Sequence, residues 1–200
     1  MFLHLAAGAA SMFCLSFASA LAGQVHDAAI AGDVAGLERA LKSGAAIEER
    51  NANAETPLTV AALAGRTAVV VDLIRLGADV NARNDRGMTA IQAAAFAGDV
   101  AAVDALLAAG VSINEAANKF KVTPLIVAAE ENHVDLVAYL LDHGADVELV
   151  EAHGYTALTR AGFKARDEVI ALLIKKGAAC QEVDPAWLAE CTKRKAALGL

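Results

Sequence analysis

Glycine returns along this chain at a fixed interval: Gly32, Gly65 and Gly98 are evenly spaced, and Gly44, Gly77 and Gly110 repeat the same step. Self-similarity at a period of about 33 residues constrains the fold more than any composition value, because one short unit cannot bury its own apolar face. Neighbouring units must stack and complete each other's core. The stretch Thr56 to Ala82, TPLTVAALAGRTAVVVDLIRLGADVNA, shows what one unit contains. Thr56 is suited to cap a helix and Pro57 to start it, where a missing N–H costs nothing. Ala61, Ala62 and Ala64 keep that helix thin, and Gly65 supplies a turn. Val69 to Leu76 forms the apolar face of a second helix, and Gly77 fits the left-handed position that ends it. The unit is a helical hairpin with an extended exit.

Thr56-Pro57-Leu58, Ala61-Ala62, Gly65 and Gly77-Ala78-Asp79-Val80-Asn81 resemble the ankyrin repeat closely, and the resemblance runs from about Gln24 to Gln181. It implies an all-α ankyrin-repeat solenoid of about five helix-turn-helix units with β-turn fingers, over about 24–49, 50–82, 83–115, 116–148 and 149–181. The first unit lacks Thr-Pro-Leu, as befits a terminal cap with one face in solvent. The third has Thr89-Ala90-Ile91, with alanine for proline. Pro124 lies one position later than the interval from Ala90 requires, so the segment Glu115 to Val122 carries a one-residue insertion, which in a repeat maps to a loop. The fifth replaces Ala-Ala by Ala161-Gly162 and the turn glycine by Ala165. Asp184-Pro185 then opens a C-terminal capping helix to about Ala197, within residues 182–200, with Lys193, Arg194 and Lys195 complementing its dipole.

Met1 to Val25 contains no Asp, Glu, Lys or Arg, and its apolar run ends in small residues, Ala18-Ser19-Ala20 and Ala20-Leu21-Ala22. Residues 1–22 read as a secretory signal, with His4 the only candidate for a basic n-region, or as an uncleaved membrane anchor. Either reading puts the repeats outside the cytoplasm, periplasmic or secreted in one case and anchored facing the periplasm in the other. If the signal leaves, Cys14 leaves with it and two cysteines remain. Cys180 takes the apolar exit position of Ile47, Val80, Ile113 and Val147, while Leu188, Cys191, Lys195 and Leu198 share a face of the last helix. A Cys180–Cys191 disulfide would staple that helix over the open end of the stack; two buried free thiols are the alternative.

No chemical motif accompanies the repeats: there is no phosphate loop, HExxH, GxSxG or paired-cysteine metal spacing. His133 and His143 sit where imidazole caps or bonds backbone, and Glu130 and Glu131 are helix neighbours about 100° apart that do not converge. Neither a catalytic residue, a metal nor a cofactor is expected, and an enzyme is the remote alternative. The net charge of −7 without a basic stripe argues against nucleic acid. The partner expected is another protein, bound by a monomer.

The resemblance implies binding through a concave face built from the fingers and the far ends of the first helices. Carried over residue by residue, that face holds Asn53, Glu55 and Leu63; Arg86, Met88 and Phe96; Lys119, Phe120, Val122, Glu130 and Glu131; and His153, Tyr155, Phe163 and Lys164. Outside 1–22 the Phe and Tyr residues are Phe96, Phe120, Tyr139, Tyr155 and Phe163, and four of these five fall on it. Phe96 and Phe163 are open between core and surface, whereas the finger residues Phe120 and Tyr155 favour contact with a partner. The centre of an interface is therefore expected over units three to five. A scaffold for an envelope enzyme, a stress-protection accessory and an immunity-type inhibitor all remain open under the resemblance.

Overall fold

The computed structural model describes residues 23–200, and the signal or anchor expected over 1–22, with Cys14, lies outside them. In chain order the helices are α1 (23–31), α2 (Val34–Lys42), α3 (Pro57–Leu63), α4 (Thr67–Arg75), α5 (Ala90–Ala97), α6 (Val100–Ala108), α7 (Pro124–Glu130), α8 (Val134–Asp142), α9 (Ala157–Phe163), α10 (Asp167–Lys175) and α11 (Pro185–Ala197). No strand occurs among the described residues. Odd-numbered helices up to α9 form an inner layer, even-numbered ones an outer layer, and the turns preceding each inner helix project as fingers.

Local chemistry starts each unit as the sequence implies. Thr56, Thr123 and Thr156 accept the backbone N–H of Thr59, Ile126 and Thr159, and Pro57 and Pro124 occupy the first helical turn. In the third unit Gln92 completes the cap. Its Oε1 accepts the Thr89 N–H at 3.0 Å, while its Nε2 donates to the Glu115 carbonyl at the end of its own unit at 3.2 Å and to the Val122 carbonyl of the next unit at 2.8 Å. A buried glutamine thus performs a cap and an inter-unit tie together.

The core is a pair of rows running the length of the stack. Leu37, Val70, Val103, Val137 and Ile170 form one, and Ala40, Leu73, Leu106, Leu140 and Leu173 the other, all at most 3% exposed. Their three-residue offset puts both on one face of each outer helix. The alanines Ala61, Ala62, Ala94, Ala95, Ala128 and Ala129 are fully buried, which is how thin inner helices pack side by side.

A second tie links consecutive units through the residue that opens three of the outer helices. Asp33 and Asp99 cap their helices by accepting the N–H of Gly36 and Ala102. Arg66, His133 and Arg166 make no such cap. They reach back instead to the preceding unit: Arg66 Nε to the Ile30 carbonyl at 2.8 Å, His133 Nε2 to that of Phe96 at 2.8 Å and Arg166 Nε to that of Glu130 at 2.9 Å. A carbonyl only accepts, so His133 carries its proton on Nε2. His143 Nδ1 likewise bonds the Tyr139 carbonyl at 2.7 Å, so both histidines serve backbone.

The C-terminal end departs from expectation in one respect. Cys180 and Cys191 are bonded, with Cα atoms 5.9 Å apart. The most deeply buried residues of α11, however, are Trp187 and Cys191, at 8% and 0% exposure, while Leu188, Lys195 and Leu198 of the expected face are half-buried, Leu198 against the core. The reason is Gly162: a Cβ there would collide with the Trp187 indole ring, so the missing methyl of the fifth unit is the notch that receives the cap. Arg194 of α11 bonds Asp167 and Glu190 at 2.7 Å each, and these carboxylates raise its pKa further despite some burial.

Candidate binding face

Each finger is closed by one side chain. The Oδ1 atoms of Asn51, Asn84 and Asn118 each accept backbone N–H groups two and four residues ahead, at 2.9 to 3.0 Å. A residue at positive φ completes each turn: Ala54, Gly87, Lys121 and Gly154. Neighbouring fingers are tied as well, Asp85 N–H to the Asn53 carbonyl at 3.3 Å and Ala152 N–H to that of Phe120 at 2.7 Å. Arg50 and Arg83 add bonds from one finger to the next, Arg50 to the Arg83 carbonyl at 2.7 Å and Arg83 to the Ala117 carbonyl at 3.0 Å. The face is therefore preorganised.

The fifth unit closes its finger differently. Glu151 stands where the other fingers have asparagine, is only 5% exposed, and takes His153 Nδ1 at 2.7 Å and the Tyr155 N–H at 3.4 Å. Burial alone would push this carboxyl up. The hydrogen bonds and charge of His153, with the Tyr155 N–H, outweigh it and hold the carboxyl below its ordinary value. His153 stacks on Tyr155 with ring centres 6.4 Å apart, and Tyr155 meets Phe163 edge-on at 5.1 Å. That chain of contacts joins finger and inner helix across the face.

Taken together, the expected residues form three rows at the repeat spacing. Asn53, Arg86, Phe120 and His153 occupy the finger tips; Glu55, Met88, Val122 and Tyr155 the base; Leu63, Phe96, Glu130 and Phe163 the inner-helix ends. Phe96, Phe120 and Phe163 are 50%, 51% and 51% exposed, which removes the inner-helix pair from the core. Met88 and Val122 pack partly into the core, and Tyr139 lies on the outer layer, stacked on His143 and bonded to Asp104. Arg86, Lys119 and Lys164 are exposed, while Glu131 is half-buried as the C-cap of its helix. Glu130 is engaged within the stack, by Arg160 at 2.6 Å and Lys164 at 3.5 Å.

Four contributors were not anticipated. Ile30, 48% exposed, continues the inner-helix row into the first unit; its position one repeat before Leu63 was the signal. Glu151 was legible by the same ruler, since the finger-closing positions run Asn51, Asn84, Asn118, Glu151. Lys121 and Arg160 lie beside expected residues, but nothing in their spacing marks them. On another part of the surface, a cavity of about 330 Å³ is lined by Gly98, Asn132, His133, Asp135, Leu136 and Glu168, with the His133 Nε2 already committed to backbone. Among the described residues, no group of three or more His, Cys, Asp or Glu is placed to hold a metal. No described helix is long and apolar enough to cross a membrane.

A family model described as "Ankyrin repeats (3 copies)" matches residues 25–117 and 113–184. No curated protein matches the chain.

Proposed function

The chain belongs to the ankyrin repeat family, and from that premise we propose an exported, non-enzymatic module that holds a partner protein on its concave face. Ankyrin repeats generally serve as protein–protein interaction modules, and the finer reading rests on this chain's own residues. The observation that carries it is the set of half-exposed phenylalanines Phe96, Phe120 and Phe163 on a face whose fingers are already fixed. Covering the exposed half of three such rings would contribute about 3 kcal/mol, and a preformed surface keeps the ordering cost of association low. Export is supported by the charge-free apolar residues 1–22 and by a disulfide, a bond that persists in oxidising compartments.

Crosslinking capture by the native chain beside a Phe96→Ala, Phe120→Ala, Phe163→Ala variant tests the face. At least a tenfold loss of the captured partner is expected, and equal capture by both would remove the concave-face reading. Intact mass of the chain recovered from the envelope tests export: loss of about 20 residues means a cleaved signal, retention an anchor.

A further inference from the structure

The face has a spacing, and spacing selects the shape of what can lie on it. Side-by-side helices have axes about 8–10 Å apart. The exposed row Ile30, Leu63, Phe96 therefore offers one apolar side chain about every 10 Å, followed by Glu130 and then Phe163. In an α-helix seven residues advance about 10.5 Å and return within about 20° of the same face. In a β-strand a step of about 10 Å is three residues, which lands on the opposite face, so a strand lying along the row loses every second anchor. A polyproline helix also repeats at about 9 Å, but such segments dock on aromatic grooves, and the row begins with isoleucine and leucine.

Charge narrows the occupant further. The chain is net −7, yet the tips of fingers three and four carry Arg86, Lys119 and Lys121 around the exposed Phe120, opposed there by Asp85. At the break in the row two cations, Arg160 and Lys164, meet the carboxylate of Glu130, and Glu131 alongside balances their charge. Lys121 sits at φ +53, where fingers three and five use glycine and finger two the small Ala54. A left-handed residue with a side chain costs about 1–2 kcal/mol, so a cation is kept at the tip at the expense of backbone strain.

We propose that the concave face binds an acidic amphipathic α-helix whose apolar side chains recur every seven residues. This rests on the concave-face reading and specifies its ligand. The helix lies across the units with anchors on Ile30, Leu63, Phe96 and Phe163. It presents a polar residue to the Glu130 break, and its acidic flank turns toward Arg86, Lys119 and Lys121. A helix about 10–12 Å across lies against the inner-helix ends and turns one flank toward the fingers.

The test is selection of displayed peptides of equal length on the immobilised full chain, from three libraries: helix-forming with apolar residues every seven, extended with apolar residues alternating, and proline-rich with a three-residue repeat. Enrichment of acidic sequences from the helical library is expected. Selected peptides should bind at least tenfold more weakly to a Leu63→Ser, Phe96→Ser, Phe163→Ser variant. They should bind several-fold more weakly to an Arg86→Gln, Lys119→Gln, Lys121→Gln variant, a difference that fades at high salt. All six side chains are exposed, and circular dichroism checks that both variants fold. Enrichment of alternating, proline-rich or basic helical peptides, or of none, overturns the proposal. If those other peptides are still lost on the serine variant, the concave-face reading stands without the helix; if every selected peptide ignores it, both fall.

Discussion

Reducing the Cys180–Cys191 bond should undock α11 before the repeats unfold. The bond closes a sequence separation of 11, and loop-closure entropy for so short a loop corresponds to about 3 kcal/mol, or about 100-fold in an equilibrium. Little else offsets its loss. An isolated helix of this length is marginal in water, and the Arg194–Asp167 pair involves a carboxylate 72% exposed, whose contribution is screened. Trp187 in the Gly162 notch is the main remaining anchor, with Leu198 at the edge of the core, and the buried indole Nε1 has no hydrogen-bond partner. Ordering the terminal residues meanwhile costs about 1 kcal/mol each. Stability in a stacked array is a sum of nearest-neighbour terms, so the deficit stays at the end of the stack instead of spreading to all five units.

Trp187 is the only tryptophan in the chain, which makes its emission a direct report of α11 docking. In urea, the oxidised protein should lose tryptophan burial and far-ultraviolet dichroism at one midpoint. With reductant, and equally in a Cys180→Ala, Cys191→Ala variant, the tryptophan transition should move to lower urea and precede the dichroism change. Amide exchange in α11 should accelerate about 100-fold while α3 to α7 change little. Coincident transitions in the reduced protein, with unchanged exchange in α11, would refute the entropic argument.

Gly162→Ala should act on the same cap: the added methyl displaces the indole, costs about 1–3 kcal/mol by overpacking, and shifts tryptophan emission to the red in native buffer. Glu151 has a pKa held below its ordinary 4.5, so its contribution to stability is present above that pH and is lost as pH falls through the lowered value. Tyr155 and Phe163 proton resonances should therefore shift together in acid, and a Glu151→Gln variant should flatten the profile. Tyr139, pushed up to about 12 by its bond to the Asp104 carboxylate, with burial and charge adding, should keep its phenol proton beyond the ordinary 10; Asp104→Asn should return its near-ultraviolet titration toward 10. Its favourable contribution is complete below pH 10 and disappears as pH rises through 12. Lys121→Gly should raise stability by up to about 1 kcal/mol by thermal unfolding, by relieving a left-handed lysine, while weakening acidic peptides.

How much of this was legible in advance follows from which residues obey the period. Stacking repeats at a fixed interval, so the capping threonines, paired alanines and turn glycines could be read by counting, and the bonded pair at the C-terminal end followed from the exit position of Cys180. Trp187 could not be read that way, because α11 lies outside the repeats and its docking depends on a glycine whose meaning is a missing methyl in a neighbouring unit. Glu151 was legible by position but not by role. It occupies a regular position, but a carboxylate in place of asparagine acquires its role only through the particular neighbour His153.

The same contrast separates scaffold from surface along the inner-helix ends. Ile30, Leu63, Phe96 and Phe163 share the repeat's period yet are 37% to 51% exposed, so burial gives no reason for their size. A stack needs only something small and soluble there, as the neighbouring Ala64 and Ala97 show. Large apolar side chains at the stacking period, outside the stack's own core, are the trace of a ligand that matches that period. Glu130, the member of the row that breaks it, is the position held by two cations from the next unit. Replacing Glu130 by phenylalanine would extend the row but leave Arg160 and Lys164 without their carboxylate. A gain in apolar contact offset by two unpaired cations predicts tighter binding only for a helix that brings its own acid to that position.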